Sequence, residues 1–440
     1  MKTSLVFGVL FFVAALPGAA QTSREAGPDW LSRLGEAIAR AASQNPELAA
    51  MESRIDASRH RVPQAAVLPD PEIEVGIKDI PPSSPSLTRD DFTMEMVSAR
   101  QRFPGFGKLA AQTRAAQAEL EGMQAEHVRH SIEVAADVAD SFFHLGELDA
   151  RIAIIEETRR RLSDAVIAAR ERYRVGKGAQ ADVLRADLEK TALEDRLAML
   201  KAERRSEAAR FNALQNFPAN TPIAPIRIPP GSEARIAARP IPPRDELLAE
   251  TERESPAVDA AAARVRQAEE GVKLARLERR PDWMLSGYYG RRESFEDLAG
   301  LSIAFNLPWV HPRRLSERRA ERESELAGVR ADLASVRNVL RRGIDQAYAE
   351  LEKNREQVRL YRDSILPQAQ INYRAAREAY AVGSIDFLTF VRGATDLAMY
   401  EMENAERESG VARALAMLQK ASGIALIAGT PAREAVHEKE

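Results

Sequence analysis

No proline interrupts the chain between Lys108 and Tyr173, and only two glycines, Gly122 and Gly146, fall inside that run. Apolar residues recur there at three- and four-residue steps, from Ile132, Ala135, Ala139 and Phe142 to Leu145, Leu148, Ile152 and Ile155. That is the period of one helix face. At 1.5 Å rise per residue it predicts a rod about 100 Å long. A second run, from Arg314 to Tyr380, has the same character with one internal proline, Pro367. Proline removes a backbone donor and crowds the preceding turn, which predicts a bend there. Rods of this length cannot bury an apolar stripe alone and must pair with neighbours at coiled-coil spacing. Charged stretches such as 159–162 and 202–210 read as their solvated faces. With aromatics at only 6%, the composition favours long helices over a thick globular core.

The chain also repeats itself. "YRVGKGAQADVLRADLEK" (173–190) aligns with "YAVGSIDFLTFVRGATDL" (380–397) at a constant offset, so that Tyr173 falls on Tyr380, Gly176 on Gly383 and Arg185 on Arg392. Segment 44–75 resembles 254–285, with Pro46 on Pro256 and Pro71 on Pro281. "RQRFPGFGKL" (100–109) resembles "AFNLPWVHPRRL" (304–315), with Pro104 on Pro308. Such self-similarity predicts two structural repeats, 21–215 and 245–422. Eight prolines between 216 and 244 forbid a continuous helix and mark a linker between them. Residues 423–440 form a tail. Lys2, the apolar run Leu5–Leu16 and the small residues Gly18, Ala19 and Ala20 read as a secretory signal over 1–20, cut after Ala20.

Four segments alternate with period two. Ile73, Val75 and Ile77 oppose Glu72, Glu74 and Lys78; Phe92, Met94 and Met96 are expected to oppose Thr93 and Glu95. Trp283, Leu285 and Tyr289 oppose Ser286 and Tyr288; Leu301, Ile303, Phe305 and Leu307 oppose Ser302, Ala304 and Asn306. They make two hairpins, 71–102 and 282–307, of strands about as long as the ~9–11 residues that cross a bilayer. No later segment has the ~20 apolar residues of a membrane helix, so a membrane location would have to be through strands. Four strands cannot close a membrane barrel, since small barrels start near eight, and an open edge in lipid is not permitted. If the strands cross a membrane, several chains must share one barrel. An ordinary soluble hairpin packed on helices is the alternative.

Taken together, the two-fold repeat, the "NPEL" helix start (45–48), the strand hairpins between helices and the two Tyr-x-Val-Gly turns resemble the TolC-like outer-membrane efflux family across nearly the whole mature chain. "LPDPEIEVG" (68–76) and "FPGFGKL" (103–109) look most like its heavy-metal branch. The resemblance implies a mainly α fold with a small β-barrel portion: long antiparallel coiled-coil hairpins and four transmembrane strands per protomer, in a homotrimer embedded in outer-membrane lipid. It implies a passive exit duct that works with a periplasmic adaptor and an inner-membrane pump. Heavy-metal cations are the cargo the branch implies, with drugs or other organic solutes as the alternative. It further implies that the turns near 176–182 and 383–389 are the periplasmic tips, where Gly176 and Gly383 allow the chain to reverse. The first tip keeps the family's acid, Asp182. The second carries Thr389 and Arg392 where some members have gating acids, with Asp386 the nearest carboxylate. Two readings follow: a gate of mixed ion pairs among Asp182, Asp386, Arg185 and Arg392, or solvated helix charges.

The remaining chemistry is sparse. Lys plus Arg (63) balance Asp plus Glu (66), which gives no reason to expect a nucleic-acid partner. There is no cysteine, hence no disulfide or thiolate site. "GKGAQAD" (176–182) lacks the spacing of a phosphate loop. His127 and His130 without a third ligand are a weak metal signal. Met94 and Met96 read as lipid-facing, and Met399 and Met402 as helix packing. No nucleophile–base pair stands out, so the expectation is a non-enzyme without cofactor. A periplasmic adaptor would carry one helical hairpin and a β-rich C-terminal region, against two hairpins and a C-terminal helix here.

Overall fold

The computed structural model describes residues 29–83, 85–176 and 178–431. The signal segment 1–20 lies outside them. The first half runs α1 (Asp29–Gln44), α2 (Pro46–Ala66), β1 (Glu72–Lys78), β2 (Met94–Phe103), α3 (Lys108–Arg174) and α4 (Gln180–Leu214). A linker with one short turn, α5 (Glu233–Ile236), leads to α6 (Arg244–Glu254), α7 (Pro256–Leu277), β3 (Trp283–Arg291) and β4 (Leu298–Phe305). The chain closes with α8 (Pro312–Leu360), α9 (Leu366–Val382) and α10 (Phe387–Ser422). Both α2 and α7 begin with proline at the first helical position, where its missing N–H costs nothing. Asn45 adds a cap by accepting from the Glu47 amide at 2.9 Å.

The 67-residue α3 is the spine. It packs on α2, α4, α7 and α10, while α10 also lies along α8. One core forms where α1, α3, α10 and the linker meet, around Leu34, Ile38, Phe142, Phe143, Ile226 and Leu415. A second runs from Leu148 toward the tips. The linker seats closely on α3 at Gly146: a Cβ there would sit 2.8 Å from Ile228 Cδ1, so a larger residue would have to displace that side chain.

The second rod differs in detail from the predicted bend. Its helix is interrupted by a π turn, Tyr361–Ile365, just before Pro367. Widening the turn changes which carbonyls the following residues face, which accommodates the missing N–H and the ring of Pro367. The Tyr361 hydroxyl in this turn donates to Glu403 Oε2 at 2.5 Å, and that bond pushes its pKa up to about 12.

The strands form one antiparallel sheet in the order β1-β2-β3-β4. The central pair, β2 with β3, joins the two halves from Glu95↔Arg291 to Phe103↔Trp283. At its base the Phe103 and Trp283 rings stack with centroids 3.9 Å apart. Asp282 locks the junction: it accepts from the Gly105 amide and Lys108 Nζ, both at 2.7 Å, and its own amide donates to Asn306 Oδ1 at 2.6 Å.

Register corrects the reading of β2. Val97 stands opposite both Val75 and Tyr289, so it shares their face. Met94 and Met96 therefore lie on the other face, with Glu74, Ser98, Arg100 and Ser302, and Glu95 moves to the apolar side, 3.6 Å from Arg291. The segment offered apolar residues at both parities, and only its neighbours settle which parity faces out. β1, β3 and β4 keep their predicted faces.

The C-terminal segment is tied down by one buried side chain. Gln419 Oε1 accepts from the amides of Leu426 and Ile427, both at 2.9 Å, and from Thr430 Oγ1 at 3.0 Å. Ala237 and Ile427 bridge there, linking this segment to the linker. Gln419→Leu leaves two buried amides without an acceptor, at about 1–3 kcal/mol each. Limited proteolysis should cut the variant within 424–431 well before the wild type, whereas Met417→Leu, at an exposed site, should leave the digestion rate unchanged.

Candidate functional site at the helical tips

Each long hairpin reverses at a glycine with positive φ, +76° at Gly176 and +83° at Gly383. The Gly383 amide donates to Tyr380 O at 3.0 Å and the Ser384 amide to Ala379 O at 2.9 Å. These are the paired bonds of a left-handed helix stop. The Gly176 amide makes the matching bond to Tyr173 O at 3.0 Å. An L side chain at either glycine would be strained whatever the space around it.

Beyond the turns the two tips diverge. α10 starts with Asp386 as its cap, Oδ1 accepting from the Thr389 amide at 2.8 Å. α4 starts at Ala179, which offers no side-chain cap, and Asp182 sits in its first turn. Tyr380 is buried, stacks on Phe390 at 5.2 Å and meets Phe387 edge-on at 5.6 Å. Its aligned partner Tyr173 is 48% exposed. The first tip has Gln180 and Val183 where the second has Phe387 and Phe390, so it has no aromatic pocket to receive Tyr173.

Arg172 joins the tips. Its guanidinium lies over the Tyr380 ring at 4.7 Å, and Nη2 donates to Ala381 O at 3.1 Å. Burial raises the Tyr380 hydroxyl pKa, with Arg172 opposing the shift. Neither Arg172 nor the two phenylalanines had been singled out from the sequence. The aromatic spacing 380, 387, 390 was the available signal; Arg172 had none.

Asp182, Asp386, Arg185 and Arg392 are brought to one end of the rods, yet no ion pair within 4 Å joins them inside the protomer, among the described residues. Asp386 instead answers to its cap: Thr389 holds its carboxyl below the ordinary carboxylate range, with Arg185 and Arg392 adding to the effect. Nearby, Arg170 pairs with Asp187 at 2.8 Å between α3 and α4, and Arg174 with Glu171 at 2.9 Å within α3. Exposed apolar residues gather at the same end: Val175, Leu184 and Val382, the last 82% exposed.

Other sequence candidates stay apart from this end. His130 meets Glu47 at 3.0 Å and His127 lies 3.8 Å from Glu52, between α2 and α3. No three potential ligands converge on a metal position among the described residues. Met402 is core and Met399 is partly exposed.

Asp386→Ala should speed hydrogen exchange at the Thr389 amide, while Asp386→Asn, which keeps an acceptor, should largely preserve protection. Because the folded carboxyl titrates below its unfolded value of about 3.9, the cap is intact above that pH. Its protection should disappear as pH falls through the lower folded value. Exchange that is slow in Asp386→Ala, or independent of pH in the wild type, would contradict the capping role.

The comparisons with known proteins agree with this architecture. The family model described as outer membrane efflux protein matches residues 37–216 and again 247–424. The cobalt-zinc-cadmium resistance protein CzcC of Cupriavidus metallidurans is 24% identical over 357 residues, 81% of each chain. The outer-membrane channel OprN superposes with a TM-score of 0.76 at 19% identity, over 89% of this chain and 90% of that one. VceC of Vibrio cholerae gives 0.75 at 18% identity, over 89% and 96%. No helix among the described residues is long and apolar enough to cross a membrane, but one face of the sheet exposes Ile73, Val75, Val97, Leu301, Ile303 and Phe305. With both halves of the chain matched by the same family, this protein belongs to the outer membrane efflux proteins.

Proposed function

We propose that three copies of this chain close a single barrel in the outer membrane and conduct solutes passively from a periplasmic adaptor and an inner-membrane pump to the exterior. One observation carries the reading. The four-stranded sheet leaves β1 and β4 as open edges, and its outward face exposes Ile73, Val75, Leu301, Ile303 and Phe305. Such a surface is unsuited to water, and its edges are unsuited to lipid unless paired with another chain. Three sheets of four strands supply a number within the range of known membrane barrels. The opposite face, with Glu74, Arg100, Ser286 and Ser302, suits a wet interior.

At the far end, exposed Val175 and Val382 offer apolar knobs for an adaptor's helical hairpin. Asp182, Arg185 and Arg392, which form no ion pair within 4 Å among the described residues, would meet their counterparts in neighbouring copies where the duct narrows. Heavy-metal cations are the proposed cargo, supported by the likeness to CzcC.

Mass measurement of detergent-solubilised protein should give three copies; a stable monomer would refute the shared barrel. Leu301→Arg should block insertion, at about 2–4 kcal/mol near mid-bilayer, while Ser302→Arg, one residue on and facing the interior, should insert. Equal outcomes would overturn the assignment of faces. Arg185→Ala and Arg392→Ala should each raise single-channel conductance if contacts between copies hold the tips closed. Conductance equal to the wild type in both would leave these residues as solvated charges.

A further inference from the structure

A cavity of about 480 Å³ lies between α3, the linker and α10. The linker forms its roof, and that roof is fixed from both sides. The Ile226 amide donates to Asp149 Oδ2 at 2.9 Å, and Arg33 donates to the carbonyls of Ala224 and Pro225 at 2.7 and 3.0 Å. Pro225 and Pro229 lack the N–H needed to donate into the space beneath. Ile152, Ile226, Ile228 and Val358 give the walls an apolar character. A chamber with a few polar groups on apolar walls is the usual form of a small-molecule site.

Its carboxylates are not equivalent. Asp149 is matched by Arg204 at 2.5 Å, Glu147 by Arg151 at 3.1 Å, Glu156 by Lys201 at 3.4 Å and Glu233 by Arg355 at 2.8 Å. Glu408 alone among the lining acids has no cation within 4 Å among the described residues. Among the described residues it accepts only from Asn404 Nδ2, at 3.3 Å. Burial pushes its carboxyl above the ordinary pKa. Arg362 acts on it only from a distance. Thus a carboxylate with no ion-pair partner within 4 Å among the described residues lines an apolar chamber, which is charge complementarity awaiting a donor-rich cation.

We propose that this cavity binds a small organic cation with an apolar body, its primary ammonium donating to Glu408 while the body packs on Ile152, Ile226, Ile228 and Val358. The site goes beyond the exit-channel reading and does not depend on which solute is conducted. All of its lining residues belong to one chain. Binding there would brace the linker against both long hairpins.

The test uses the purified channel in nanodiscs of neutral lipid, titrated calorimetrically at pH 7 with 1-adamantanemethylamine and with its uncharged twin 1-adamantanemethanol, empty nanodiscs being subtracted. The amine should bind saturably, one per chain, and the alcohol at least about tenfold more weakly, as expected for a charge-assisted bond in a low-dielectric site. Glu408→Gln should bring the amine down to the affinity of the alcohol. Ala153→Phe, on the α3 wall, should abolish binding of both by filling the space. Should Glu408→Gln fail to fold, the amine–alcohol comparison and Ala153→Phe still decide. Absence of saturable amine binding, an alcohol that binds as tightly, or an unchanged affinity in Glu408→Gln would overturn the proposal.

Discussion

A backbone amide or carbonyl left without a partner in hydrocarbon costs several kcal/mol, and β1 and β4 each present a row of them. Both strands also display apolar side chains outward, so the edges cannot simply be turned to water. The rest of the architecture is organised around that demand. The β2–β3 seam joins the two halves into one sheet before any second copy is involved, and Asp282 with Lys108, Gly105 and Asn306 fastens that sheet to the rods. Strand edges of one copy are thereby held at fixed positions relative to its helices. In the proposed trimer, closing the barrel would also set how the helices of neighbouring copies meet.

The duplication is deep in sequence and shallow in environment. Gly176 and Gly383 make the same left-handed stop because backbone geometry is local and glycine meets it equally well in either half. What lies around each turn is set by non-local neighbours. Tyr380 finds Phe387, Phe390 and Arg172 and is buried; Tyr173, on the matching position, remains half exposed. Only one of the two tips is capped by an aspartate. Two copies of one motif thus serve an asymmetric end: at one tip the tyrosine is packed and braced, at the other it is half exposed.

Polar anchors do similar work along the linker. Its prolines remove donors, so its position rests on what the helices offer it: Asp149 for the Ile226 amide, Arg33 for two carbonyls, and the space vacated at Gly146. A strap held at separate points rather than along its length spans a chamber, and Glu408 lines it with no ion-pair partner within 4 Å among the described residues. Gln419 anchors the C-terminal segment by the same device, one buried amide accepting from several donors.

The rods, the repeat, the glycine stops and the faces of β1, β3 and β4 were legible in the sequence, because helix period, strand period and the need for positive φ are each written in residues close together in the chain. The face of β2 was not, since Met94, Met96, Val97 and Ala99 put apolar residues at both parities and only pairing with Val75 and Tyr289 chose between them. Pro367 announced a disturbance, but whether it became a kink or a π turn depended on the packing of α8 and α10, where Tyr361 reaches Glu403. The four charges follow the two turns to one end of the rods, yet their pairing turns on distances of a few ångströms that no local pattern encodes. Arg172 is one of many arginines on a charged helix until Tyr380, more than two hundred residues away, is folded beneath it. The sequence by itself determined which elements exist and which faces are apolar; the tertiary structure alone decided which charges and rings meet, because those contacts join residues far apart in the chain.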